Sequence, residues 1–202
     1  MPYRYYNKLK MTGMFPRYGP KDGDTVVQIW GENFIDLGDD FRCNFGSQST
    51  KAHYINQNSL WCRTPRSSVV GRAMPVSVSL NRQQNSEEKF SMWYYNAPSV
   101  FRMPNDYGSI EGGNKVTLIG QNFKPFDWNE IDNQNDTFCS FGSLGRVPAQ
   151  VLSQTEAECI SPPNPQHLTT IPVKFTLNSQ NYTDEEFAFT FYNPPSVQRH
   201  RH

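Results

Sequence analysis

The sequence predicts an all-β chain of 202 residues folded as two tandem β-sandwiches. Three observations predict it. The chain repeats itself, its apolar residues recur with a period of two, and Gly, Pro, Asn and Asp cut the apolar runs into short pieces.

The repeat organises everything else, because a missed repeat misreads a whole fold. Residues 18–34 (YGPKDGDTVVQIWGENF) align without a gap on residues 107–123 (YGSIEGGNKVTLIGQNF), at an offset of 89. Cys43-Asn44-Phe45-Gly46-Ser47 then matches Cys139-Ser140-Phe141-Gly142-Ser143 at an offset of 96. At an offset of 97, Cys62 matches Cys159, Pro65 matches Pro162, and VSVSLN (76–81) matches VKFTLN (173–178). FSMWYYNAPSV (90–100) matches FAFTFYNPPSV (187–197), and Tyr5-Tyr6-Asn7 matches Tyr94-Tyr95-Asn96. The chain therefore reads as an excerpt of a longer repeat array. Residues 1–7 read as the last strand of a preceding repeat, 8–96 as the first full repeat and 97–194 as the second. Residues 195–202 are the lead-in to a following repeat or an end.

Within each repeat the period is that of strands. Val27 and Ile29 alternate with Gln28, as Val116 and Leu118 do with Thr117. Val76, Val78 and Leu80 alternate with serines; Val173, Phe175 and Leu177 stand at the equivalent places. Phe90, Met92 and Tyr94 form a third such face, matched by Phe187, Phe189 and Phe191. One set of positions keeps its apolar character across repeats while its neighbours change freely, as expected of strands with one face on a core. Gly23-Asp24 and Gly112-Gly113 read as tight turns entering a strand. No convincing helical period of ten or more residues interrupts the pattern. Short strands in a unit of ~95 residues predict an immunoglobulin-like sandwich. The cysteine pairs look too close in sequence to span the two sheets as in an immunoglobulin Cys–Trp–Cys core.

These residues also carry a resemblance. A strand ending Gly-x-Asn-Phe, then Cys-x-Phe-Gly, Cys-x-x-Pro and a Phe-x-x-x-Tyr strand resembles the IPT/TIG family (Ig-like, plexin, transcription factor). The first copy supplies Gly31 to Phe34, Cys43 to Gly46, Cys62 to Pro65 and Phe90 to Tyr95. The second supplies Gly120 to Phe123, Cys139 to Gly142, Cys159 to Pro162 and Phe187 to Tyr192. The resemblance covers nearly the whole chain and implies early-set (E-set) Ig-like sandwiches, of the cell-surface receptor or protist surface-protein type. It does not imply one function, since members occur in receptors, ciliary proteins, Rel-type transcription factors and polysaccharide-acting enzymes.

Cys43 and Cys62 are 19 residues apart, Cys139 and Cys159 are 20 apart, and they occupy equivalent places. Four cysteines allow three connectivities, of which repeat symmetry favours 43–62 with 139–159. Such bridges place the chain in an oxidising compartment. Reduced, buried thiols are the competing reading. Zinc is disfavoured by the spacing and by the lack of a repeated histidine. Asn135-Asp136-Thr137 and Asn181-Tyr182-Thr183 are the two glycosylation sequons, both placed in expected surface loops, although 18 asparagines make accidental matches easy. Phe126 and Trp128, in the Asn/Asp-rich insertion of the second copy, are candidate partner contacts. Gly38-Asp39-Asp40 and Asp184-Glu185-Glu186 are acidic, but neither has the order of a calcium loop.

No nucleophile, base pair or phosphate loop is legible, and none of the four histidines recurs between copies. The expectation is a chain that is not an enzyme and needs no cofactor or metal. Nineteen Lys+Arg against nineteen Asp+Glu argue against nucleic acid and a Rel-type context, and no apolar run reaches the ~18 residues of a membrane span. The expected role is a stiff tandem of repeats acting as spacer and as a protein-binding or adhesive surface of a larger extracellular or cell-surface protein. Its partners would be proteins or neighbouring repeats of the same chain, with homo-association open. The alternative is an intracellular filamin-like or ciliary/cytoskeletal scaffold with reduced cysteines; an accessory domain of a carbohydrate-active enzyme ranks below it.

Overall fold

The computed structural model describes residues 7–82, 84–87, 90–124, 136–166 and 169–195. The chain divides into two compact units, Met1–Ala97 and Pro98–His202.

The first unit holds β1 (Lys10–Phe15), β2 (Tyr18–Pro20), β3 (Val26–Glu32), β4 (Arg42–Phe45), β5 (Gln48–Asn56), β6 (Ser59–Arg63), β7 (Ala73–Ser79) and β8 (Phe90–Tyr95). They hydrogen-bond in the order β1-β3-β6-β5-β4-β7-β8-β2. All these pairs are antiparallel except the short β2, which runs parallel to β8. The second unit holds β9 (Ser99–Arg102), β10 (Tyr107–Ser109), β11 (Lys115–Gln121), β12 (Phe138–Phe141), β13 (Arg146–Val151), β14 (Glu156–Ile160), β15 (Thr170–Thr176) and β16 (Phe187–Tyr192). Its order, β9-β11-β14-β13-β12-β15-β16-β10, is the same topology strand for strand.

Each run of eight strands closes into a two-layer sandwich through one strand that changes layer. Residues Gln48–Lys51 of β5 pair with β4, and Ala52–Asn56 pair with β6. In the second unit Arg146–Pro148 pair with β12 and Ala149–Val151 with β14. The alternation read from sequence faces the core: Val27, Ile29, Val76, Val78, Met92 and Tyr94 are buried, as are Val116, Leu118, Val173, Phe175, Phe189 and Phe191. Burying a side chain of this size contributes ~1.5–3 kcal/mol.

The shared motifs have local physical causes. In Gly-x-Asn-Phe the asparagines Asn33 and Asn122 adopt positive φ, 66° and 61°, a conformation Asn tolerates better than most side-chain-bearing residues. That turn drives Phe34 and Phe123 into the core. Gly31 and Gly120 lie where a Cβ would collide with the Lys10 and Ser99 carbonyl oxygens, so the first strand of each unit can run alongside. Gly23-Asp24 and Gly112-Gly113 all have positive φ, and the turn they make docks on the chain after β6 and β14: Asp24 N–H donates to the Thr64 carbonyl, Gly113 N–H to that of Ser161.

Two expectations are corrected. Ser77, Ser79 and Thr176, placed by alternation on an outer face, are buried. The chain after each strand turns back and pairs along its edge. Ser86 N–H donates to the Val78 carbonyl and its hydroxyl accepts from Val78 N–H, while Thr183 makes the same pair with Phe175. Asn44 Nδ2 also reaches the Ser77 hydroxyl, at 3.4 Å.

The second correction concerns the cysteines, which do join the two layers. Cys43 on β4 stands opposite Thr50, and Cys62 on β6 opposite Ala52, so the two cysteines flank the point where β5 changes layer. Strands two places apart in a flat sheet would sit roughly 9.5 Å apart, at ~4.8 Å per strand. The observed Cα–Cα distance is 6.5 Å in both bridges, because the sheet folds over at that point. Sequence separation was a poor guide here, since one nine-residue strand takes the chain across the sandwich.

Tyr94 supplies a difference between the units. It is 1% exposed, and burial pushes its hydroxyl far above the ordinary tyrosine range. The folded form therefore keeps its proton while the unfolded chain ionises near pH 10. Stability from this group is intact below pH ~10 and is lost as pH rises beyond it. The second unit has Phe191 at the equivalent place. Tyr94→Phe is thus expected to raise the pH at which the first repeat unfolds in alkali, read as tyrosinate absorbance and circular dichroism in one titration; an unchanged midpoint would refute the assignment.

Candidate functional site

Both cysteine pairs are disulfide-bonded, Cys43 to Cys62 and Cys139 to Cys159. Three of the four residues are fully buried and Cys159 nearly so, which makes these bridges internal staples. They define no reactive surface.

Asn135, Phe126 and Trp128 lie outside the described residues. Asn181 is half-buried in the turn that doubles back after β15, where its side-chain oxygen accepts from Asn178 Nδ2 at 2.9 Å. The hydroxyl of its sequon partner Thr183 is used inside the fold, and Ser86 does the same in the first unit. The threonine that completes the sequon therefore has a structural reason to be there. Asp39 pairs with Lys51 at 2.7 Å, and the hydrogen bond from that lysine lowers its pKa. Asp40 pairs with Arg82 at 3.2 Å. In the second acidic run, Glu185 accepts from the Ser99 hydroxyl at 2.6 Å, which lowers its pKa, and Glu186 stands 3.7 Å from Lys174. These carboxylates are committed to their neighbours.

One surface was missed in the sequence. Strand register sets Phe15, Gln28, Trp61 and His53 side by side across β1, β3, β6 and β5 on the outer face of one sheet. Trp61 and His53 stack at 3.8 Å between ring centroids and 5° between planes. The Arg63 guanidinium lies 6.0 Å from the Trp61 ring centroid and is itself bound to Asp24 at 2.8 Å. In the adjacent row Trp30 stands opposite Gly13. Its ring atom Cε3 comes within 3.3 Å of the place a glycine Cβ would occupy, so the indole leans on bare backbone. Phe15 and Trp30 are each 38% exposed. Gln28 is exposed between them and donates to the Ser59 hydroxyl at 3.3 Å.

The second unit has the same strands without this chemistry. Thr117 pairs with Glu158, Gln150 with Glu158, and Ile119 with Arg102 at the equivalent ladder positions. Glu158 is bound to Lys115. The fold therefore forms without the rings. The readable signal was the set of outward positions aromatic in one copy only, Trp30 against Ile119 and Trp61 against Glu158.

A sandwich closed by one layer-changing strand and stapled across its sheets, made twice in one chain, defines a tandem of immunoglobulin-like domains. The chain belongs to the IPT/TIG domain family, whose model matches residues 9–92 and 103–191. Among solved structures, the full extracellular region of plexin A4, domains 1 to 10, is similar over 96% of this chain, at 20% identity and a TM-score of 0.59. A second plexin A4 extracellular structure, with domains 1 to 8, is similar over 92% at 16% identity and a TM-score of 0.51. The chain spans 17% and 18% of those plexin chains. At this identity the likeness shows the fold.

Proposed function

We propose that this chain is a non-enzymatic structural and recognition segment of a larger extracellular or cell-surface protein. Its tandem repeats act as a spacer that carries binding faces. The observation that carries the reading is the pair of buried disulfides at equivalent places, since bridges of this kind persist in oxidising compartments and are rare in the cytosol. The plexin likeness supports it by fold. The junction Asn96-Ala97-Pro98-Ser99-Val100 favours stiffness, because it has no Gly/Ser-rich stretch and a proline fixes one φ. Recognition by sheet faces and loops suits a fold in which sites are grafted on a scaffold.

The experiment is thiol counting by mass spectrometry on native-source protein, alkylated before and after reduction. No reactive thiol before reduction, with peptides linked 43–62 and 139–159, is the expected result. Four alkylated thiols in the native protein would overturn the reading and make the reduced intracellular scaffold the better one. The same digest reports whether Asn135 and Asn181 carry glycans.

A further inference from the structure

We propose that the outer face of β1, β3, β6 and the second half of β5 in the first repeat binds a neutral oligosaccharide. Trp30 and Phe15 are the stacking platforms, and Gln28 and His53 are the partners of sugar hydroxyls. The proposal rests on the reading of the chain as a recognition segment and names the ligand class of one of its faces.

Three features of the face select this ligand. The first is charge. Lys10 is paired with Glu32 at 3.1 Å, Arg63 with Asp24 at 2.8 Å and Lys51 with Asp39 at 2.7 Å. These three cations are each paired with an anion, which leaves less attraction for a phosphate, a sulfated or sialylated glycan or an acidic peptide. A ligand without charge is complementary to it.

The second feature is the alternation of rings and polar groups. Phe15, Gln28 and Trp61 succeed one another on neighbouring strands, and Ser59 lies beside Trp30. A pyranose has the matching pattern, with patches of C–H on its faces and hydroxyls around its rim. The π-face of an aromatic ring is negative and attracts weakly positive C–H groups, while an amide and an imidazole both donate and accept. A protein partner or a second copy would instead bury ~800 Å² per side around a core more apolar than the surface. Here exposed Gln28 interrupts the rings.

The third feature is that the rings are dispensable to the fold. The second repeat builds its ladder with Ile119, Glu158 and Gln150 in the places of Trp30, Trp61 and His53, and Thr117 in that of Gln28. Trp30 does cover Gly13, and a structural role could end there. Two half-exposed rings and a stacked Trp61–His53 pair on one face go beyond covering one glycine.

The test is a glycan array probed with the 202-residue chain. The array carries neutral hexose, N-acetylhexosamine and fucose oligosaccharides beside sialylated and sulfated ones. Binding confined to neutral glycans is expected, and calorimetry with the strongest array ligand should show it weakened at least fivefold by Trp30→Ile. Gln28→Thr is the second variant, and both install the residue the second repeat folds with, so each should keep the native circular dichroism. Phe101→Ala, in the second repeat, should leave binding unchanged. No neutral glycan bound, binding of anionic glycans alone, or neutral binding untouched by both variants would overturn the proposal. Self-association abolished by Trp30→Ile would also overturn it and give the face to a second copy. The thiol count does not depend on the array, so failure here leaves the extracellular reading standing.

Discussion

Phe34→Ala is expected to destabilise the first repeat by about 3–5 kcal/mol, the cost of truncating a buried aromatic to alanine when the surroundings relax only partly. Phe34 is buried and sits 6.3 Å from Phe41, ring centroid to ring centroid, while the Asn33 turn fixes where it enters. Gly31 is bare, and the Phe34 ring lies against the place its Cβ would take. Phe123→Ala should cost the second repeat a similar amount, for Phe123 packs on Phe175 at 5.0 Å beside Gly120. The contrast is Phe101→Ala. At 60% exposure Phe101 should change stability by no more than ~0.5 kcal/mol. Denaturant titrations read by hydrogen exchange on peptides of each repeat separate the effects. A Phe34→Ala cost below ~1 kcal/mol would show that the Gly-x-Asn-Phe turn is not the core plug described.

Much of this fold was legible because its causes are local. An Asn at positive φ, a glycine against a carbonyl and an apolar residue at every second position leave marks that repeat at a fixed offset. Duplication sharpened them, since Phe34 and Phe123 share a constraint whereas Trp30 and Ile119 do not. What stayed hidden depends on strands distant in sequence. The aromatic face needs Phe15, Gln28, Trp61 and His53 in one ladder row, and register across four strands is not written in any one of them. The buried serines of β7 escaped for a similar reason: alternation tells which face a residue takes, not whether that face is covered by other parts of the chain. The reach of the disulfides was misjudged because sequence separation was used in place of the layer change within β5.

That layer change gives the last prediction its form. Replacing Cys43 and Cys62 together by alanine should lower the stability of the first repeat by about 3 kcal/mol, the loop-closure entropy of a ~20-residue ring in the chain-entropy model. For a domain of this size that is a fall in Tm of roughly 12–24 °C. The bridge holds the two layers at the point where β5 passes between them, with Cys43 flanked by Thr50 and Val78 and Cys62 by Ala52 and Val27. Its loss should therefore be felt first in the exchange of amides on β4, β5 and β6. The strands β7 and β8, paired on the other side of β4, should open later. Cys139 and Cys159 make the same bridge between β12 and β14, and their double alanine variant should confine its effect to the second repeat. Each single alanine variant loses the same bridge but keeps one small apolar thiol packed in the core, so it should be no less stable than its double, which leaves the larger gap. Equal stability of wild type and the Cys43/Cys62 double variant would mean that the sandwich is held at that corner by packing alone. The buried Phe41, just before β4, and Phe45, its last residue, would then be the residues to truncate next.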